Sequence, residues 1–169
     1  MKRFGIALCV LFLAQTSHAA APDFMAGFSV GVLEPTPMTL AVGPTLKFAD
    51  WIDASAFFDP FRLVMLGFTG GQILTLGGQI RVRGPDMVWA PVVGVAFART
   101  IAKPAFNFLG LTISDAVHYV FSFGIEHKMT ERIIVGVDLL FAFRERQGEA
   151  WAREDLSVPL GAHMTLFFK

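Results

Sequence analysis

The chain has 169 residues, of which 54% are hydrophobic and only 17% charged, with 14 basic and 14 acidic residues in balance. That balance excludes the basic footprint of a nucleic-acid binder, and so little charge implies either a large core or a surface that does not face water. The single cysteine, Cys9, excludes an internal disulfide.

Lys2 and Arg3 precede an apolar run over 4–14, a polar stretch through Gln15 and His18, and then Ala19, Ala20 and Ala21. A basic start, a short apolar run and small residues form the pattern of a cleaved signal peptide, expected over 1–20 with cleavage at one of these alanines. The alternative, an uncleaved anchor, needs roughly 18 to 20 apolar residues, more than this run holds. Cys9 leaves with the leader, so the expected mature domain, 21–169, has no thiol for a disulfide, a metal or a nucleophile. Without Lys2 and Arg3, twelve basic residues face fourteen acidic ones, a formal charge of −2. No linker or low-complexity tract divides this length, and one domain is expected.

Membrane-spanning helices are not expected. The best segment, 61–80, contains Arg62, Gln72, Gln79 and several glycines, and no mature window reaches about 18 uninterrupted apolar residues. A period of two runs along the chain instead. Phe24, Ala26, Phe28, Val30 and Val32 alternate with Gly27, Ser29 and Gly31. Leu74, Leu76, Ile80 and Val82 alternate with Thr75, Gly77, Gln79, Arg81 and Arg83. Val117, Tyr119, Phe121, Phe123 and Ile125 face away from Ala116, His118, Ser122, Gly124 and Glu126, with Val120 interrupting the polar side. Ile133, Val135, Val137, Leu139, Phe141 and Phe143 oppose Ile134, Gly136, Asp138, Leu140, Ala142 and Arg144, and Leu160, Ala162, Met164, Leu166 and Phe168 alternate with Gly161, His163 and Thr165.

One face is therefore bulky and apolar, the other small with isolated charges. A water-soluble sandwich turns its bulky face inward and clothes the outside with charge, for which this chain has too few lysines and glutamates. The reverse assignment suits a narrow barrel in a bilayer, with bulky residues on hydrocarbon and small and ionic ones on the lumen. Strands are expected over 24–33, 39–49, 51–58, 72–83, 88–101, 116–129, 132–144 and 156–168, an all-β, eight-stranded antiparallel up-and-down transmembrane β-barrel. Tight turns at 50, 84–87 and 130–131 alternate with longer connections at 60–71, 102–115 and 145–155, although the connection at 34–38 is short. With both termini in the periplasm, the long connections face outward.

Two turn segments look alike. Leu46, Lys47, Phe48, Ala49, Asp50, Trp51 and Ile52 parallel His127, Lys128, Met129, Thr130, Glu131, Arg132 and Ile133, each a basic residue, a large apolar one, a small one, an acid and then a new strand. This arrangement resembles the periplasmic hairpins of the small eight-stranded outer-membrane barrels of the OmpA transmembrane domain and OmpX type. Pro91, Val92, Val93, Gly94, Val95, Ala96 and Phe97 look like the fifth strand of that superfamily. The resemblance implies a Gram-negative outer-membrane location and contact with outer-membrane lipid and lipopolysaccharide. It also implies insertion by the barrel-assembly machinery, which reads a terminal aromatic residue. Here Leu166 and Phe168 keep that spacing, but Lys169 displaces the aromatic by one position. No peptidoglycan-binding segment follows within the sequence.

An eight-stranded barrel is just wide enough to fill with side chains, which argues against a passive pore. Lys47, Asp53, Arg81, Arg83, Glu126, Asp138, Arg144 and His163 are expected inside as a polar network, because ions in a closed lumen must pair or draw in water. Phe28, Val30, Phe121, Phe123, Val135, Val137, Leu139, Phe141, Met164, Leu166 and Phe168 are expected to face lipid. His118, Ser122 and Glu126 share a face but stand about 13 Å apart in steps of four, too far for a triad. A roughly symmetric last hairpin would bring Asp138 near His163. No catalytic, cofactor or metal residues are expected, since His118, His127 and His163 lack ligand spacing. Apolar residues in the connections 59–71 and 102–115 imply that strands extend through them, or that they cover the mouth or meet lipid or a surface partner. Residues 145–155 read as a solvated, mixed-charge connection, and Trp51, Trp89, Tyr119 and Trp151 suit an interfacial belt. The expected role is structural or surface-binding. The alternatives are an outer-membrane lipid-modifying enzyme, of deacylase or acyltransferase type, and a soluble periplasmic lipid carrier.

Overall fold

A computed structural model describes residues 24–32, 40–60, 72–103, 106–108, 111–113, 115–145, 152–153 and 160–168. The expected leader, 1–20, lies outside the described residues, as do 33–39, 61–71, Trp151 and 154–159. Alternation of large and small residues makes each strand: β1 (Met25–Val32), β2 (Leu40–Ala49), β3 (Ile52–Phe58), β4 (Gln72–Arg83) and β5 (Trp89–Lys103) are followed by a short pair, β6 (Phe106–Phe108) and β7 (Leu111–Ile113). The chain continues with β8 (Ala116–Lys128), β9 (Ile133–Glu145), the two-residue β10 (Ala152–Arg153) and β11 (Leu160–Phe168).

The main sheet is a ring. β1, β2, β3, β4, β5, β8, β9 and β11 pair antiparallel in that order, and β11 returns to β1 from Ala26↔Phe168 to Val32↔Ala162. This is a closed eight-stranded antiparallel barrel, the architecture that the period of two implies. Closure leaves no sheet edge with unpaired backbone groups. β10 adds a short pairing on β9, with Ala152↔Arg144 and Arg153↔Phe143.

Some boundaries move. Trp51 belongs to the turn rather than to β3, and β5 runs to Lys103. The apolar connection 102–115 is not simply an extension of the barrel strands, because β6 and β7 form a separate two-stranded sheet within it. Three tight turns close one end of the barrel, and the long connections leave from the other. At the tight-turn end Arg83 donates its N–H to the Trp51 carbonyl at 2.8 Å and Lys128 to that of Val88 at 2.8 Å. The Thr130 hydroxyl accepts from the Arg132 and Ile133 N–H groups at 3.2 and 3.0 Å. Asp86 takes φ 56° after Pro85, a left-handed conformation that Asp tolerates better than most non-glycine residues.

Inward side chains alternate small with large, as a narrow lumen demands. Phe57 packs its ring tip where a side chain on Gly77 would stand, and Phe167 covers Gly27. The interior is not polar throughout: Ala96, Val120, Leu140 and Ala142 form one apolar cluster, and Ala41, Phe57 and Ala98 another. Val120, which interrupts the polar pattern in the sequence, belongs to this packing.

Candidate functional site

The strand ends nearest the tight turns carry most of the inward charge, and the staggered register gathers it. Lys47 lies opposite Asp53, and Asp53 opposite Arg81. Arg83 sits two residues further along β4 and donates through Nε to Glu126 Oε2 at 2.5 Å, while its Nη2 pairs with Asp53. Glu126 also accepts from His163 Nε2 at 3.0 Å, and His163 Nδ1 lies 3.5 Å from Asp138 Oδ2. The result is one chain of ionic groups across five strands, Asp53–Arg83–Glu126–His163–Asp138. All five are buried, and Asp138 is 0% exposed.

Glycines make this reach possible. Gly136 is the direct register partner of Glu126 on one side and of His163 on the other. A Cβ there would lie 2.5 Å from His163 Cε1 and 2.9 Å from Glu126 Cγ. Asp138 is flanked in the same way by Gly124 and Gly161. Large and missing side chains thus alternate across neighbouring strands.

At the rim, Lys47 pairs with Asp50 in the turn, and its ammonium stands 5.7 Å from the Phe167 ring centroid. The hydrogen bond from Lys47 holds the Asp50 carboxyl below its ordinary value. Beyond the apolar clusters, Thr75 Oγ1 and Thr100 Oγ1 are 2.9 Å apart, and Thr100 is hydrogen-bonded to His118 Nε2 at 3.1 Å. Ser29 joins Thr45 and Thr165 at 2.5 and 2.8 Å.

Of the residues expected in the interior network, Lys47, Asp53, Arg81, Arg83, Glu126, Asp138 and His163 are buried on the lumen side. Arg144 is not brought to them: it is half-buried near the long-connection end, opposite His118. The Glu126–His163 contact and the Ser–Thr network have no counterpart in the sequence reading, and only their shared inward parity signals them. The fully buried Phe167 is likewise visible only from its parity with Thr165 and His163.

Two small cavities adjoin the cluster. One of about 30 Å³ opens at the tight-turn rim beside Lys47, Arg83 and Glu126. The other, of about 10 Å³, lies among Ser29, Gln79, Arg81 and His163. Volumes of this order hold one or two waters rather than an organic substrate. Among the described residues, no group of three or more His, Cys, Asp or Glu side chains is placed to hold a metal ion.

The outer wall is the converse of the lumen. Phe28, Phe121, Phe123, Val137, Leu139, Phe141, Met164, Leu166 and Phe168 are each 40–52% exposed, and Val30 and Val135 are half-exposed. Among described outward-facing strand side chains, the ionisable ones are Arg99, Tyr119, His127 and Glu145, all toward strand ends. His127 stacks on Trp89 with centroids 4.1 Å apart at one end, and Tyr119 meets Phe97 edge-on at 5.4 Å toward the other.

No family model matches the sequence, and no curated protein matches it. Among solved structures the chain is similar to the solution NMR structure of the de novo designed TMB2.3, with a TM-score of 0.42 and 9% identity over 88% of this chain and 97% of that one.

Proposed function

We propose that the chain is an integral outer-membrane β-barrel protein with a structural or surface-binding role, a side-chain-filled lumen and no catalytic centre. The observation that carries this reading is the uncharged band of the outer wall between Trp89 and Arg99 on β5. Ten residues at about 3.3 Å each, tilted by about 40°, rise about 25 Å, the height of the apolar band of outer-membrane barrels. Exposed Phe121, Val137, Leu139 and Phe141 are costly in water and favourable against acyl chains, which speaks against a soluble lipid carrier. The expected leader at 1–20 and the small, closed barrel support the outer membrane as the compartment. Outer-membrane lipid and lipopolysaccharide then surround the wall, the barrel-assembly machinery inserts it, and the connections 59–71 and 102–115 meet a surface partner.

A lipid-modifying enzyme requires its polar groups at the leaflet boundary. Asp138, His163 and Glu126 instead lie inside the wall, where no acyl chain reaches them. Cell fractionation with gel electrophoresis, with and without boiling, tests the proposal. The expected result is a protein in the outer-membrane fraction whose mobility changes on heating. A species that remains in buffer without detergent overturns it.

A further inference from the structure

Arg99 breaks the pattern of the outer wall. It faces outward on β5, 45% exposed, in line with Val95 and Phe97 and opposite Leu76 and Val117 on the adjoining strands. Its one ion-pair partner among the described residues, Asp115, keeps Oδ2 at 3.8 Å, beyond hydrogen-bonding distance. The other Asp115 oxygen accepts the Ala102 N–H at 2.7 Å, so the carboxylate is held in place by the backbone. The guanidinium is thus oriented by a tethered acid while much of its surface faces outward. Arginine offers five donors in a planar fork suited to phosphate oxygens.

We propose that Arg99 is the contact for a lipid headgroup phosphate at the long-connection rim of the barrel. This rests on the membrane reading above, because the height of Arg99 relative to Trp89 places the guanidinium where the apolar band ends and headgroups begin. Acyl chains of the same lipid lie along Phe97, Val95 and Phe121 just below. Tyr119, the diagonal neighbour of Arg99 across the β5–β8 pairing, supplies an amphipathic ring at the same level. Asp115 keeps the arginine from collapsing onto the apolar wall when no phosphate is bound.

The test uses the full barrel protein folded in detergent and native mass spectrometry, with bisphosphorylated lipid A, its dephosphorylated counterpart and inorganic phosphate as probes. The wild type is expected to retain one lipid A about tenfold more tightly than the dephosphorylated lipid, the scale of a charge-assisted contact. Arg99→Gln loses that preference, Arg99→Lys keeps part of it, and inorganic phosphate competes weakly. Equal retention by wild type and Arg99→Gln overturns the proposal, as does equal binding of the dephosphorylated lipid. Full displacement by inorganic phosphate overturns it in favour of a free-anion site. Heat-modifiable mobility of Arg99→Gln shows that the variant folds, which separates loss of the contact from loss of the barrel. A wild type that stays soluble without detergent removes the membrane reading and this proposal together.

Discussion

Glu126 and His163 touch across a strand that separates them: Glu126 lies on β8, His163 on β11, and the Nε2–Oε1 contact of 3.0 Å passes over Gly136 of the intervening β9. Glu126 and His163 share Gly136 as their register partner, and their side chains meet because that middle position carries no side chain.

Gly136→Ala tests that relationship. In a strand the exchange ordinarily gains about 0.5–1 kcal/mol from the backbone. Here the new methyl meets the imidazole ring and the Glu126 side chain, and overpacking of this kind costs about 1–3 kcal/mol. Net destabilisation is expected, read from urea unfolding in detergent micelles, and a more stable variant contradicts the packing described.

Glu126→Gln removes the carboxylate shared by Arg83 and His163. Arg83 keeps Asp53, but removing one charged member from a buried ionic network costs on the order of 3 kcal/mol. A double-mutant cycle with His163→Gln is expected to return a coupling of about 1–3 kcal/mol, because the residues are in direct contact. Additive effects would show that they act independently.

Val95→Arg probes what lies outside the wall. Val95 is 51% exposed near the middle of the apolar band. In water such a change alters stability by about 0.5 kcal/mol or less, whereas in a bilayer an arginine near the midplane costs about 2–4 kcal/mol. Unfolding of the variant in vesicles should show the larger loss, and the same charge at Trp89 should cost much less.

Asp50 supplies a pH signature in the turn. Its hydrogen bond from Lys47 lowers the carboxyl, so the stabilisation is complete above the unfolded-state value and is lost as pH falls through the lowered folded-state value. Lys47→Met is expected to return the Asp50 titration toward the ordinary value in an NMR pH series. An unchanged midpoint would assign the lowering to another group.

Phe167→Ala should cost about 3–5 kcal/mol, as expected for a fully buried phenylalanine. Its neighbour Phe168 is 52% exposed, and Phe168→Ala should cost far less in detergent. Equal effects would mean that the two rings do not divide between lumen and exterior.

The inside and the outside of the barrel were legible because parity survives throughout the ring: on β5, Ala90, Val92, Gly94, Ala96 and Ala98 are buried or lumen-facing while Pro91, Val93, Val95 and Phe97 are exposed. The pairing of charges was not, since it depends on stagger between strands, which period alone does not encode. Asp138 near His163 follows from a symmetric hairpin between consecutive barrel strands. Glu126 near His163 requires knowing that Gly136 falls between them. Arg144 has the right parity but the wrong height, because parity sorts faces and says nothing of distance along the axis. Val120 reads as an interruption of a polar face, yet it packs with Ala96, Leu140 and Ala142 in an apolar layer of the lumen. The β6–β7 hairpin was hidden in the apolar run at 102–115, where length and hydrophobicity fit several arrangements.

The seam between the first and last strands carries a consequence for how the chain is made. Ser29 and Thr165, hydrogen-bonded across it, are 136 positions apart, so the ring is sealed only when the seven other barrel strands and β11 are all in place. Until then two ladders of backbone donors and acceptors are bare, ready to recruit a neighbouring molecule or to be occupied by a helper with a strand of its own. A nascent copy that stops short of β11 is therefore a sticky open curl, and closure of the ring turns on that one strand, Leu160–Phe168.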